Sequence, residues 1–352
     1  MSQKLNNILF FMAGVLVVVI GVILFMAIQT KGQNQGTNDN MVISNETTNQ
    51  TIDTAGAAMA GNVEKWQEGT IEYNGKHYRY NNYIRSYLLM GIDSDDPVET
   101  AKDGVSGGQS DAMFLLVVDA ENETFSIISI NRNTMTAVDV YDEEGNGLGI
   151  YQAQICTQHG FGDGKKLSCT RTVSAVKNLF YNIPISGYMS INMGAIPILN
   201  DAIGGVEVEV LEDIYYPSQN VSLTEGDVVT LNGQEAYCYV RGRDTNDFDS
   251  ATDRLHRDEQ YLINFMNQLK TYAGGSAEVA ADIYESVSDY AVSSVDFAAL
   301  AKDVIGYEFS EDIMYTIPGE TVMGDKYEEY HVDEEEFYDL IIDIFYNEVE
   351  SE

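Results

Sequence analysis

The chain has 352 residues, with 19 Lys+Arg against 56 Asp+Glu, and a formal net charge of −37. Its 44% apolar content is enough for a substantial core and excludes wholesale disorder. So negative a chain excludes nucleic acid as a partner, because phosphate backbones need Lys/Arg-rich contacts, and it disfavours docking on anionic headgroups.

Residues 1–7 form a short N-terminus expected on the cytoplasmic side. Ile8 to Ile28 is a run of 21 residues without a charged side chain, long enough to cross about 30 Å of hydrocarbon as a helix. Gln29, Thr30 and Lys31 follow directly, where a cleaved signal peptide would have small residues. Residues 8–28 therefore predict an uncleaved transmembrane anchor. Residues 29–65 are rich in Asn, Gln, Thr, Gly and Ala and predict a flexible extracellular linker. A single domain is expected over 66–352, with the whole chain a single-pass protein of the cell membrane.

Asn74-Gly75, flanked by alternating residues, predicts a hairpin. Tyr87–Ile92, Ala112–Val118 and Thr124–Ile130 are apolar runs of strand length, and Tyr188–Met193 is a further strand. Arg171–Tyr181 and Ala195–Ile203 have helical periodicity. Val206–Val210 alternates as a half-exposed strand. Ala236–Val240 reads as a strand, or a strand end, that carries Arg241 and Arg243. Arg254–Lys270 predicts a helix, and three more are expected near 277–290, 296–305 and 334–347. The alternation predicts an α/β fold: a layered α-β-α sandwich with a central mixed sheet, preceded by one N-terminal transmembrane helix.

Four of the eight arginines (Arg241, Arg243, Arg254 and Arg257) fall within 17 residues. In a chain that otherwise avoids positive charge this points to an anion site; the alternative is pairing with the local acids Asp244, Asp247 and Asp253. Arg132 directly follows the strand Thr124–Ile130. Guanidinium forks suit phosphate oxygens. Asp93 and Asp111 sit at strand ends and, if those strands are neighbours, can reach one edge. Two carboxylates and a ligand phosphate would suit Mg²⁺. Cys156 and Cys169 leave a disulfide open, and Cys238 reads as a buried thiol. The histidines have no metal-ligand spacing, and His256 is expected to face solvent. Gly160–Gly164 reads as a loop and not as a phosphate cradle.

Gly91-Ile92-Asp93, Ser110-Asp111, Ile128–Thr134, Ile203–Val206, Leu231–Ala236, Tyr239–Arg243 and Arg254-Leu-His-Arg257, in that order, resemble the LytR-CpsA-Psr family. The resemblance implies a Mg²⁺-assisted phosphotransferase of Gram-positive cell surfaces. It would move an anionic glycopolymer, such as teichoic acid or capsule, from a polyprenyl-pyrophosphate carrier to peptidoglycan. Asp93 and Asp111 would hold the metal. Arg132, Arg241, Arg243, Arg254, Arg257 and Gln260 would grip the pyrophosphate, and the lipid tail would lie in an apolar tunnel. Catalysis would fall to Arg132 and to Asp249 or Asp253.

The chain departs from the family at Gln109, Ala112, Asn131 and Asn133, and at Asp258 and Glu259, where glutamines are usual and Gln260 is displaced. Ala251 replaces the usual acid before the helical arginines. Two other functions use the same residues: a non-catalytic surface binder of the carrier or of wall polymer, and a pyrophosphate phosphodiesterase.

Overall fold

A computed structural model describes residues 70–350 apart from 244–247, 274–278, 280–281, 284 and 296–307. The expected transmembrane helix over 8–28, the linker over 29–65 and the helix near 296–305 lie outside the described residues. No helix among the described residues is long and apolar enough to cross a membrane.

The first hairpin joins β1 (Thr70–Tyr73) to β2 (Lys76–Tyr80), with Tyr73 opposite Lys76. Asn74 and Gly75 take φ of 49° and 75°, the paired positive values that a tight two-residue turn demands. Next come β3 (Ile84–Ile92), β4 (Ser110–Asp119) and β5 (Thr124–Ile130), with β4 antiparallel to β3 and β5 antiparallel to β4. The hairpin of β6 (Met135–Tyr141) and β7 (Gly147–Gln154) lies outside this sheet. Helix α1 (Lys166–Leu179) leads to β8 (Gly187–Asn192), which runs parallel to β3.

Helix α2 (Ala195–Ala202) is followed by β9 (Val206–Glu209), the ribbon β10 (Ile214–Tyr216) and β11 (Val221–Leu223), and β12 (Val228–Leu231), which pairs with β9. Then come α3 (Gly233–Arg241) and α4 (Ser250–Ala273). Strands β13 (Ala291–Ser293) and β14 (Glu308–Thr316) form the two edges of the main sheet, in the order β13-β8-β3-β4-β5-β14. The hairpin β15 (Gly319–Met323) and β16 (Glu328–Val332), helix α5 (Glu334–Phe345) and β17 (Tyr346–Val349) complete the fold. Strand β17 pairs with β2, so the last strand described closes the first hairpin.

The sheet is mixed, since β8 and β14 are parallel to their neighbours β3 and β5 and the other pairs are antiparallel. Its central strands are apolar throughout because both faces are covered. Leu89, Phe114, Leu116 and Ile127 pack in one core with side chains of α2, α3 and α4. Leu88, Met90, Met113 and Leu115 pack in the other with Val176 of α1 and Phe337, Ile341 and Phe345 of α5. Alternation along each strand feeds the two layers, giving the expected α-β-α arrangement.

The strand expected over Ala236–Val240 is instead the body of α3. Asn232 Oδ1 accepts from the backbone N–H groups of Gln234 and Glu235, and Glu235 Oε2 accepts from the N–H of Asn232. This reciprocal cap fixes a helix start whatever the strand propensity of Tyr239 and Val240. Arg241 is therefore the last helical residue, and Arg243 lies beyond the end. The segment expected as a helix near 277–290 ends, in its described part, in a 3₁₀ turn at Ser288–Tyr290. All three cysteines are buried and free, so Cys156 and Cys169 are unpaired. Gly160–Gly164 packs tightly, and a Cβ on Gly162 would come within 2.3 Å of Ser168 Oγ.

Candidate functional site

Asp111 is placed by a bulge. Gly91 pairs with Ala112, but Ile92 pairs with Ser110, so Asp111 is an extra residue in β4 with no partner on β3. Bulges re-aim side chains, and here the carboxylate meets two guanidinium groups. Arg132, just beyond β5, donates from Nε to Asp111 Oδ1 at 3.0 Å, and its Nη2 lies 2.8 Å from the same oxygen. Arg254, in the first turns of α4, donates from Nη1 to Oδ2 at 3.0 Å. Burial works against the charge on Asp111, and Arg254 and Arg132 more than offset it, holding its carboxyl below the ordinary range.

Arg243 is the third cation at this point. It is half-buried, and no ion pair is recorded for it among the described residues. Burial, then the charges of Arg254 and Arg132, hold its guanidinium below the ordinary arginine range, against the pull of Asp111 and Glu328. Two guanidinium groups thus clasp one carboxylate, and a third lies near enough to feel their charge, an excess of positive charge that an anion would relieve.

The other two expected arginines have recorded partners other than Asp111. Arg241 Nη2 donates to Asp93 Oδ1 at 2.9 Å, and its Nη1 donates to Asp95 Oδ1 at 3.1 Å and to the Tyr237 hydroxyl. Arg257 is buried; it donates to Glu212 and to the carbonyl of Gly242. Its fork is engaged by Glu212 and Gly242, whereas the expected role placed it on the pyrophosphate. The acids engaged by the arginines are Asp93, Asp95, Asp111 and Glu212. Asp253 is not among them, and Asp244 and Asp247 lie outside the described residues.

Gln260, expected on the pyrophosphate, is likewise engaged within the fold. It is buried, accepting from the Tyr239 hydroxyl at 2.7 Å and donating to the Glu209 carbonyl at 2.8 Å, so it braces α4 against α3 and β9. Of the two candidate proton acceptors, Asp253 is exposed, on the same side of α4 as the exposed His256. Asp249 is half-buried with its backbone in the left-handed region (φ 64°). Its Oδ1 accepts from the hydroxyls of Thr252 and Thr321, each at 2.5 Å. Thr252 in turn accepts from the Asn131 amide at 3.1 Å, which ties Asp249 to the residue before Arg132.

Several contributors have no family signature. Gln109 Oε1 accepts from Arg132 Nη2 at 2.6 Å. Asn133 Oδ1 accepts from Gln154 Nε2 at 2.9 Å, fixing the loop that carries Arg132 to β7. Cys156 lies close enough to Arg132 to feel its charge, yet burial pushes its thiol up to about 11. Asp258 and Glu259 are buried behind the arginines, with Asp258 Oδ1 and Glu259 Oε1 lacking any hydrogen-bond partner. Burial pushes Asp258 up to about 7 despite Arg254 and Arg257. It pushes Glu259 up to about 8 against the nearby Ser129 hydroxyl, with Asp258 adding to the rise.

Donor chemistry at Asp93 and Asp111 fits a small hard cation. Both are carboxylates beside Arg132; Asp93 Oδ2 has no recorded hydrogen bond among the described residues, whereas both oxygens of Asp111 accept from Arg132 and Arg254, so an ion there would share Asp111 with these arginines. No group of three or more His, Cys, Asp or Glu among the described residues could hold a metal unaided. Any ion would need ligand oxygens as well, which is how Mg²⁺ is commonly held.

Sheet, bulge and guanidinium cluster define a mixed α/β protein with a group of buried and half-buried arginines at one end of its central sheet. The chain belongs to the LytR_cpsA_psr family, whose model matches residues 42–341. It is 27% identical over 277 residues to the polyisoprenyl-teichoic acid–peptidoglycan teichoic acid transferase TagU of Enterococcus faecalis, covering 78% of this chain and 81% of that one. It is 31% identical over 178 residues to TagU of Halalkalibacterium halodurans, covering 51% of this chain and only 50% of the relative. Among solved structures it resembles B. subtilis TagV, with TM-score 0.58 and 22% identity over 75% of this chain and 96% of that one. It also resembles TagT bound to LI-WTA, with TM-score 0.53 and 18% identity over 75% of this chain and 90% of that one. At these identities the structures speak to the fold.

Proposed function

We propose that the protein is a phosphotransferase that moves a glycopolymer from a polyprenyl-pyrophosphate carrier to peptidoglycan. The observation that carries this reading is the pair Arg132 and Arg254 clasping the carboxylate of Asp111, with Arg243 near enough to feel their charge. Phosphoryl transfer needs positioning and charge stabilisation more than covalent chemistry from the protein. Arg132 and Arg254 are held in place by Asp111 and keep further N–H donors for phosphate oxygens. Arg243 brings a further cation, for which no ion pair is recorded among the described residues. The names of the TagU relatives support the same donor and acceptor.

In this reading Asp93 and Asp111 hold Mg²⁺, which would neutralise charge on the pyrophosphate. Asp249 receives the proton of the acceptor hydroxyl. It is preferred to Asp253 because it is tied through Thr252 and Asn131 to the loop bearing Arg132. The protein works at the outer face of the cell membrane, anchored by residues 8–28. The test is turnover of a lipid-linked glycopolymer donor by the full chain in detergent, with and without peptidoglycan. Product bonded to peptidoglycan supports the transferase. Hydrolysis independent of the acceptor identifies a phosphodiesterase, and binding without turnover identifies a surface binder.

A further inference from the structure

The motifs behind the family resemblance end at Arg257, yet the C-terminal hairpin β15–β16 is bonded to two groups that carry the proposed chemistry. It joins the loop of Arg132. The Tyr330 N–H donates to the Asn133 carbonyl at 2.9 Å, and Thr134 and Tyr330 form a parallel bridge. Gln154 Nε2 donates both to Asn133 Oδ1 at 2.9 Å and to the Glu328 carbonyl at 2.8 Å. The hairpin also holds Asp249. The Asp249 N–H donates to Glu328 Oε1 at 3.0 Å, and the Thr321 hydroxyl donates to Asp249 Oδ1 at 2.5 Å. Thr321 is opposite Tyr330 and Met323 is opposite Glu328, so Thr321 and Glu328 are diagonal neighbours on one face of the hairpin.

This hold has a physical reason. Asp249 has φ 64°, a left-handed conformation that costs energy for a residue with a Cβ and lasts only where its surroundings enforce it. A carboxylate accepting from its N–H is a charge-assisted bond, stronger than a neutral one. Thr252 accepts from the Asn131 amide, which leaves its own proton for Asp249 Oδ1, where the Thr321 hydroxyl also converges. For Oδ2 no hydrogen bond is recorded among the described residues, so it is the oxygen left to take a proton. The Glu328 carboxylate also lies near enough to Arg243 for its charge to favour the guanidinium.

We propose that the β15–β16 hairpin completes the site, with Thr321 and Glu328 as positioning residues that fix the carboxylate and the backbone of Asp249 so that Oδ2 meets the acceptor hydroxyl. The inference rests on the transferase reading, in which Asp249 receives that proton. It adds two residues from a part of the chain to which no motif points. As the acceptor oxygen forms its bond to phosphorus, its proton passes to Asp249 Oδ2, and the bond from phosphorus to the prenyl phosphate leaving group breaks.

The full chain in detergent is assayed for transfer of a lipid-linked glycopolymer donor to peptidoglycan. Thr321→Val keeps the shape and removes the hydroxyl. It should lower kcat about tenfold or more with the KM of the donor unchanged, since misplacing a reacting group costs rate. Thr321→Ser returns the hydroxyl and should restore most of the rate. Glu328→Leu removes the acceptor for the Asp249 N–H and should lower kcat in the same way, whereas Glu328→Gln keeps an acceptor oxygen and should retain most of it. In an Asp249→Asn background Thr321→Val should cost nothing further, because both act through one carboxylate. Wild-type rates in Thr321→Val and Glu328→Leu overturn the inference, and so does an equal loss in Thr321→Val and Thr321→Ser. Should Thr321→Val not fold, the two Glu328 variants decide. Hydrogen exchange at the Asp249 amide needs no turnover: faster exchange in Glu328→Leu than in Glu328→Gln supports the hold, and equal exchange overturns it. A wild type without turnover overturns the transferase reading instead, and the exchange measurement then decides the hold alone.

Discussion

Arg254 holds Asp111 at two points: Nη1 donates to Oδ2 at 3.0 Å, and Nη2 donates to the main-chain carbonyl at 3.2 Å. One side chain of α4 thus clasps both the carboxylate and the backbone of the bulge in β4. The bulge and the helix start are therefore one mechanical unit, and the anion site is part of what secures α4 to the sheet.

Asp111→Ala leaves two guanidinium groups facing each other in a largely buried setting. Removing one partner of a buried pair costs about 3–5 kcal/mol, so the denaturant midpoint should fall well below that of the exposed control Arg79→Ala. The carboxyl of Asp111 is held below its ordinary range in the fold. Its contribution is present above the unfolded carboxyl pKa and is lost as pH falls through the folded value. The difference between wild type and Asp111→Ala should shrink in acid. A midpoint unchanged at pH 7 would contradict this account.

Arg243 and Arg257 should separate cleanly. Arg243→Ala removes a cation without a recorded counterion and should weaken binding of a prenyl pyrophosphate by about tenfold or more, since a hydrogen bond to a charged group contributes roughly 1.5–3 kcal/mol. Arg257→Ala removes a buried brace on Glu212 and Gly242, so its loss should appear mainly in the melting temperature. Calorimetric titration and thermal unfolding of both variants check the split; equal losses of affinity would show that Arg257 also reaches the ligand.

Metal dependence should follow Asp93. Asp93→Ala removes one proposed Mg²⁺ ligand and also frees Arg241, so pyrophosphate binding should become insensitive to chelator. Titrations with and without EDTA test this. A wild-type response to chelator in the variant would remove Asp93 from the metal site.

The two acids before Arg254 should differ in turnover. Asp249→Asn is expected to abolish most of the acceptor-dependent rate while leaving carrier binding in place, and Asp253→Asn should be nearly silent. If Asp253→Asn is the inactive variant, the proton acceptor is on the exposed side of α4.

Asp258 and Glu259 should make the protein less stable in alkali. Their folded pKa values, about 7 and about 8, lie above the ordinary carboxyl values of 3.8 and 4.5. The fold binds the extra protons, so their contribution is complete below the unfolded values and is lost as pH rises through 7 to 8. The groups bearing on them are Arg254, Arg257, Asp111 and Ser129. The double variant Asp258→Asn, Glu259→Gln should flatten this loss, as read from urea midpoints between pH 5 and 9. A midpoint that falls as steeply in the variant would place the alkaline weakness elsewhere.

Much of the sheet can be read from sequence because its central strands are apolar on both sides, as in Leu88–Ile92 and Met113–Val118, and Asn74-Gly75 encodes its own turn. Strand β7 of the β6–β7 hairpin escapes such reading because Leu148, Ile150 and Tyr151 are exposed, so that strand has no buried face to set a pattern. Helix α3 was legible in principle: Asn232 and Glu235 carry the cap, but the apolar run Tyr237–Val240 suggests a strand. The arginines were visible as a cluster, and their partners were not. Glu212, Asp95 and Gln109 come from distant loops, and nothing local marks Asp111 as a bulge. Gln260 and Arg257 share a helix with Arg254 but point to Tyr239 and Glu212, a matter of tertiary packing alone.

The position of β13, β14 and β17 has a consequence for synthesis. Strands β13 and β14 supply the two edges of the main sheet, and β17 closes the N-terminal hairpin, with Lys76 and Glu348 paired across that seam at 2.7 Å. A nascent chain that has emerged only as far as α4 has both β8 and β5 open to any strand it meets, and open edges of this kind invite misassociation. Ribosome stalling or truncation just beyond α4, after Ala273, would leave an aggregation-prone chain even though every arginine of the anion site has already been made.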